Sequence, residues 1–189
     1  MKKPFVIGIA GGSASGKSTF ADALEQAFAA EKLTILHMDD YFKPKEQRPL
    51  SKALVTRKEY VDDNHPQTMD LPKLGKDLAH TIAVGECSIV IVEGLLTLWD
   101  DCILDMLDLK LFVDCRAEER IVRRLKRNMQ WGLTFDQISD VYLDLVRYRH
   151  DEYVENTKWR ADMIVNGAGE TNVAVEAVVA YAERVISNR

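Results

Sequence analysis

Continuous apolar runs and amphipathic stretches alternate along this chain. Phe5-Val6-Ile7-Gly8-Ile9-Ala10 is apolar throughout and rich in β-branched residues, as a strand buried on both faces requires. Residues 18–30 follow, rich in Ala, Leu, Glu and Gln, with Phe20, Leu24, Ala27 and Phe28 near one face, which predicts a helix. Residues 33–38 predict a second strand and 71–84 a second helix. The aliphatic run 87–94 predicts a third strand closed by Glu93-Gly94, and 109–114 a fourth. Helices are expected over 117–128 and from 136 to about 156. A fifth strand and turn are expected over 161–167. A closing helix over 171–187 is apolar through Val175, Val178, Val179, Ala182 and Ile186. Strands separated by helices predict an α/β fold, a parallel sheet covered on both faces. No repeat, linker or low-complexity tract divides 1–189, so one domain is expected.

Two segments break the alternation. Residues 45–70 are polar and contain Pro49 and Pro66, with a short helix expected around 51–60; about 41–70 reads as a mobile segment beside a substrate. Trp131-Gly132-Leu133-Thr134 reads as a hinge, making about 128–136 a small lid between two helices.

The first strand and first helix are joined by Gly11-Gly12-Ser13-Ala14-Ser15-Gly16-Lys17-Ser18-Thr19, which fits G-x-x-x-x-G-K-[ST] in the strand–loop–helix order this motif needs. Glycines let the loop turn tightly and aim backbone N–H groups at an anion, and the helix start adds unpaired N–H groups and a positive dipole end. Lys17 can reach the outer phosphates, the Ser18 hydroxyl can ligand Mg²⁺, and Thr19 adds a phosphate contact.

Candidate chemistry collects at the carboxyl ends of the strands, as expected in open α/β sheets. Asp39-Asp40 ends the second strand and serves either metal and proton chemistry or a turn. Glu93 ends the third; it either orients Mg²⁺ and the acceptor or closes the strand with a salt bridge. His65 either orients an acceptor or closes a turn. Arg120, Arg123, Arg124 and Arg127 lie on neighbouring faces of one helix, where some can grip phosphate and others pair with Glu118 and Glu119.

Composition narrows this little further. A hydrophobic share of 47% suits a globular protein, and a net charge of −5 gives no reason to expect a nucleic-acid or membrane-surface partner. No apolar run approaches the roughly 20 residues that span a bilayer, and the loop 11–17 interrupts the faint signal-like start Met1-Lys2-Lys3. Cys87, Cys102 and Cys115 lack metal-ligand spacing and read as reduced thiols of a cytoplasmic protein.

Taken in order, several motifs resemble the uridine kinase, nicotinamide riboside kinase and phosphoribulokinase group of P-loop kinases. They are 11–19, Asp39-Asp40-Tyr41-Phe42-Lys43-Pro44, His65-Pro66 with Asp70, and Ile91-Val92-Glu93-Gly94-Leu95-Leu96. Further on come Leu111-Phe112-Val113-Asp114, Arg123-Arg124 with Arg127, Tyr142, Thr157-Lys158 and Ala161-Asp162. The resemblance spans nearly the whole chain. It implies a three-layer fold with a five-stranded parallel sheet of order 2-3-1-4-5, and transfer of a phosphoryl group from ATP with Mg²⁺ to a hydroxyl of a small nucleoside-like or sugar-like substrate. Asp39 matches the family's catalytic aspartate, with Lys17 and Glu93 as its catalytic companions. Gly11, Ser13, Ala14, Ser15, Gly16, Lys17, Ser18, Thr19, Arg127 and Asn166 are the expected nucleotide contacts. Ser18, Glu93 and Asp40 are the expected metal side, and Asp39, Tyr41, Phe42, Asn64, His65 and Arg124 the acceptor side. A homodimer is compatible with this reading.

Two departures mark the acceptor side. Asn64 stands where uridine kinases carry an aspartate that grips ribose hydroxyls, which forfeits a charge-assisted bond of about 1.5–3 kcal/mol. The base-reading hairpin of uridine kinases is also missing, because only Gly85-Glu86 separates the second helix from the third strand. The competing readings are a nucleoside monophosphate kinase, for which 45–70 offers few cations beyond Arg48 and Arg57, and a nucleotide-binding regulatory ATPase with no acceptor.

Overall fold

A computed structural model describes residues 3–189. Its centre is β1 (Phe5–Gly11), buried at every position. β2 (Leu33–His37), β5 (Ile89–Glu93), β6 (Leu109–Asp114) and β7 (Met163–Asn166) join it in one parallel sheet of order β2-β5-β1-β6-β7. The labels depart from the expected 2-3-1-4-5 because two short strands, β3 (Leu50–Lys52) and β4 (Glu59–Val61), precede the third sheet strand and form a separate antiparallel hairpin. The expected short helix around 51–60 is therefore replaced by this hairpin. Pro49 before β3 and the aromatic and β-branched Tyr60 and Val61 in β4 suit a strand better than a helix.

Burial on both faces explains the aliphatic runs. Phe5, Ile7 and Ile9 point to one side, with Ile89, Ile91, Leu111 and Val113. There they meet Phe20 and Leu24 of α1 (Lys17–Ala27) and Val178 and Ala182 of α7 (Asn172–Ser187). Val6 and Ala10 point to the other side with Val90, Val92 and Phe112. There they meet Leu74 and Leu78 of α2 (Leu71–Val84) and Ile103 of the short α3 (Asp101–Leu104). Asp70 caps α2 by accepting the Lys73 N–H at 3.1 Å, and Gly85 ends it in the left-handed conformation at φ 62°.

The remaining helices lie between β6 and β7. α4 (Ala117–Gln130) follows β6, and a capping box between Thr134 and Gln137 starts α5 (Phe135–Val141). The long helix expected from 136 is interrupted by a π-helical turn, Tyr142–Val146, before α6 (Arg147–Tyr153) and a 3₁₀ stretch, Glu155–Arg160. Among the described residues no helix is long and apolar enough to cross a membrane.

Candidate active site

The loop between β1 and α1 lies where the sheet order reverses, with β5 on one side of β1 and β6 on the other. Its curl is closed by the Ser15 N–H donating to the Gly12 carbonyl at 3.0 Å. Gly16 opens α1 at φ 103° and Ala14 sits at φ 64°, so consecutive amides turn inward as an anion cradle needs. At Gly12 a Cβ would lie 2.6 Å from Arg120 Nη1 and 3.0 Å from His150 Cε1, so a side chain there would require the buried Arg120 behind the loop to shift.

Parallel register brings the next groups in. His37 at the end of β2 lies opposite Glu93 at the end of β5. Glu93 is buried and accepts from Ser18 Oγ at 3.2 Å and from His37 Nδ1–H at 3.0 Å. The bond to Glu93 raises the His37 pKa above its ordinary value, outweighing partial burial. A hydroxyl and a carboxylate this close are hard oxygen donors of the kind that hold Mg²⁺ alongside substrate phosphates. No cluster of three or more acidic, His or Cys side chains able to hold a metal exists among the described residues. Asp40 is exposed and lines neither of the cavities described below.

Two cavities meet at the loop. One, of 560 Å³, runs along Gly16, Ser18, Thr19, Arg123 and Gly167. The other, of 490 Å³, is lined by Ser13, Asp39, Asn64 and Arg124 together with Val61, Leu133, Ile138 and Val141. Lys17 and Arg127 line both, so the junction between them is cationic. Arg124 Nη1 donates to Ser13 Oγ at 3.0 Å and Arg127 Nη2 to the same oxygen at 3.4 Å. Burial, together with Arg127, lowers the Arg124 pKa, and its buried Nε has no partner. A guanidinium held in this way is poised to gain an anionic or hydroxyl partner.

The four arginines of α4 divide by packing. Arg124 and Arg127 face the junction. Arg120 is buried behind the loop and donates from Nε to the Cys115 carbonyl at 3.0 Å. Arg123 bridges the loop to the β7–α7 turn, donating to the Gly167 carbonyl at 2.8 Å and to that of Ser15 at 3.4 Å. Asn166, beside Gly167, shapes that turn by accepting the Ala168 N–H at 3.0 Å.

The remaining expected acceptor residues separate as well. Asp39, Phe42, Asn64 and Arg124 line the 490 Å³ cavity. Tyr41 turns away toward α2 and donates its hydroxyl to Asp77 at 3.0 Å; burial and that bond push its pKa up to about 12. His65 accepts the Gln67 N–H at 3.1 Å and packs edge-on against Tyr153, closing a turn outside the cavity. No motif singles out His37, nor Tyr60 and Asp63, which line the same cavity; Trp131, expected as part of a hinge, lines it as well. His37 had a signal, a polar residue ending an aliphatic strand two positions before Asp39; the hairpin residues had none.

Known proteins carry a similar sequence and architecture. The pattern of the phosphoribulokinase / uridine kinase family matches residues 6–75 and 55–174. A uridine kinase of Geobacillus kaustophilus is 34% identical over 207 residues, spanning all of this chain and 98% of that protein. Among solved structures, D-glycerate 3-kinase from Cryptococcus neoformans aligns over 90% of this chain and 88% of its own, with a TM-score of 0.62 at 15% identity. A gluconokinase from Sinorhizobium meliloti aligns over 100% of this chain and 97% of its own, with a TM-score of 0.56 at 20% identity. The two structures share the fold; the sequence match extends from the phosphate loop through the arginine helix to the β7–α7 turn. This chain belongs to the phosphoribulokinase / uridine kinase family.

Proposed function

We propose that the protein transfers the γ-phosphoryl group of ATP, bound with Mg²⁺, to a hydroxyl of a small nucleoside-like or sugar-like substrate. The observation that carries this reading is the meeting of two cavities at Lys17 and Arg127, with the phosphate loop along one and the Asp39 carboxylate in the other. Nucleotide lies along the first, with its base toward Gly167 and Thr171. Acceptor occupies the second, and the phosphoryl group crosses between them.

Each residue has a task in that transfer. Loop amides and Lys17 hold the outer phosphates. Ser18 and Glu93 would hold Mg²⁺, which neutralises charge on the β- and γ-oxygens when bound. His37 anchors Glu93 from behind. Asp39 accepts the acceptor's hydroxyl proton, a role worth roughly 10²–10⁴-fold. Arg124 and Arg127 stabilise the negative charge spread over the moving group.

A neutral acceptor is favoured over a nucleoside monophosphate. The second cavity is walled in part by Val61, Leu133, Ile138 and Val141. Arg48, the nearest extra cation of that segment, pairs with Asp63 at 2.8 Å and lies over the Phe42 ring. Free thiols at Cys87, Cys102 and Cys115 support a reducing, cytoplasmic setting.

The test is ADP release from Mg-ATP across a panel of nucleosides, ribosides, sugars and sugar acids. Acceptor-dependent release is expected, and Asp39→Ala should keep ATP affinity while losing turnover by about 10²-fold or more. Hydrolysis that no alcohol stimulates would favour the regulatory ATPase instead. Near-normal turnover by Asp39→Ala would remove the base assignment.

A further inference from the structure

The β3–β4 hairpin forms one wall of the acceptor cavity through Tyr60 and Val61, and leads directly into Asp63 and Asn64. Little in the hairpin itself explains its order. Its strands have three residues each and do not join the main sheet. Leu50, Leu54 and Val55 are 65%, 62% and 71% exposed, so it has almost no core. Isolated two-stranded hairpins are marginal in water.

Its attachments come from the helix across the cavity. Asp144 is buried, and one of its oxygens, Oδ2, accepts the Thr56 hydroxyl at 2.6 Å and the Tyr60 hydroxyl at 2.7 Å. Those two bonds lower the Asp144 pKa, and the Tyr60 phenol is pushed up to about 12 by its bond to Asp144. A second attachment lies at the hairpin base. Fully buried Asp62 accepts from Ser51 Oγ and from Arg149 Nε, both at 2.7 Å, and Arg149 Nη2 donates to Ser51 Oγ at 3.0 Å. The Lys58–Asp140 pair at 3.3 Å is exposed on both sides and adds little.

The π-helical turn makes both attachments possible. Asp144 and Arg149 are five residues apart, and on an unbroken α-helix they would point about 140° apart. Within Tyr142–Val146 the helix closes five residues back instead, the Arg147 N–H donating to the Tyr142 carbonyl. Positions five apart are thereby brought toward one side, and both side chains reach the hairpin.

We propose that Asp144 is a positioning residue for phosphoryl transfer: it latches the β3–β4 hairpin to the α5–α6 helical stretch and so holds the acceptor-binding wall in register with Asp39. This rests on the reading of the 490 Å³ cavity as the acceptor site. Asp144 itself touches neither substrate; it acts through Thr56 and Tyr60.

Steady-state kinetics with ATP and with uridine as the acceptor probe test the latch. For Asp144→Ala the acceptor KM should rise about tenfold or more, since each lost charge-assisted bond is itself worth roughly tenfold or more and only part of that loss reaches the cavity, while the ATP KM stays within about twofold. Asp144→Asn keeps an oxygen that both hydroxyls can reach, and should recover much of the loss. Thr56→Val alters a residue outside the cavity and should shift the acceptor KM in the same direction by less. Amide hydrogen exchange over residues 50–61 reads the latch with no acceptor present. It should accelerate in Asp144→Ala while β1 and β5 remain protected. Unchanged exchange over 50–61, or ATP and acceptor KM rising together, would overturn the proposal. Wild-type protein inert toward every alcohol would count against the acceptor reading alone, and the exchange measurement would still decide whether Asp144 latches the hairpin.

Discussion

Gly167 shows how closely the nucleotide side is built, and Gly167→Ala tests it. A Cβ at this position would lie 2.1 Å from the Ser15 carbonyl oxygen, 2.8 Å from Val113 Cγ1 and 3.1 Å from the Asp114 carbonyl oxygen. The nearest obstacle is backbone of the phosphate loop, so no flexible side chain can swing aside. Gly167 is also tied on both sides, its N–H donating to Asp114 at 2.7 Å and its carbonyl accepting from Arg123 at 2.8 Å. The β7–α7 turn must then move off the loop, or the loop must deform. Overpacking of this kind costs about 1–3 kcal/mol. At roughly 2–4 °C per kcal/mol for a chain of this size, thermal unfolding should shift down by about 2–12 °C. If half of a mid-range strain is felt in the first cavity, ATP affinity falls by roughly a factor of five to ten. Calorimetric titration with Mg-ATP and a thermal scan measure both. Gly169→Ala is the control, because its Cβ would meet nothing closer than 3.6 Å, an ordinary contact. Wild-type ATP affinity and wild-type melting in Gly167→Ala would refute the reasoning.

Two further perturbations probe other parts of the site. Lys17 lines the junction of the two cavities, so Lys17→Ala should weaken binding of ATP much more than of AMP; equal losses in calorimetry would remove it from the outer phosphates. His150 is buried and donates from Nε2 to Glu155 at 3.0 Å, while burial first and the Arg120 charge second press its pKa below the ordinary 6.5. The unfolded chain therefore takes up a proton near pH 6.5 that the folded chain refuses, and stability falls as pH drops from there toward the folded value. His37, with its raised pKa, contributes in the opposite sense, stabilising below 6.5 and losing that contribution as pH rises through its folded value. It is present in both proteins of the comparison. Between about pH 7.5 and pH 5.5 the wild-type melting temperature should drop relative to that of His150→Gln, and parallel curves would exclude the effect.

Much of this architecture could be read from local pattern. Strands β1 and β5 are apolar almost to their ends and β6 is apolar apart from Lys110 and its terminal Asp114, and only a sheet covered on both faces buries such runs. The phosphate loop is equally local, since its glycines and Lys17 work through the backbone of one turn. Asp39 and Glu93 could be placed because function gathers at the carboxyl ends of parallel strands. The region 50–61 could not be read in this way. Its own propensities are weak, and the groups that order it, Asp144 and Arg149, lie 88 and 98 positions away from Thr56 and Ser51. The π-helical turn likewise leaves no mark in the 3.6-residue periodicity on either side of it.

Polar residues divide along the same line. Four arginines on neighbouring helix faces look equivalent by spacing, yet Arg120 and Arg123 brace backbone while Arg124 and Arg127 enter the site. Tyr41 and His65 sit inside matching motifs but point toward Asp77 and Tyr153, whereas Tyr60, outside any motif, lines the 490 Å³ cavity with Asp39 and Asn64. Burial of apolar runs and the curl of a glycine loop depend on neighbours within a few residues, so the order of amino acids suffices to specify them. Which charged and hydroxyl groups share a cavity depends on distances between segments remote in the chain, and those exist only once the sheet, the hairpin and the α4–α6 helices have packed together.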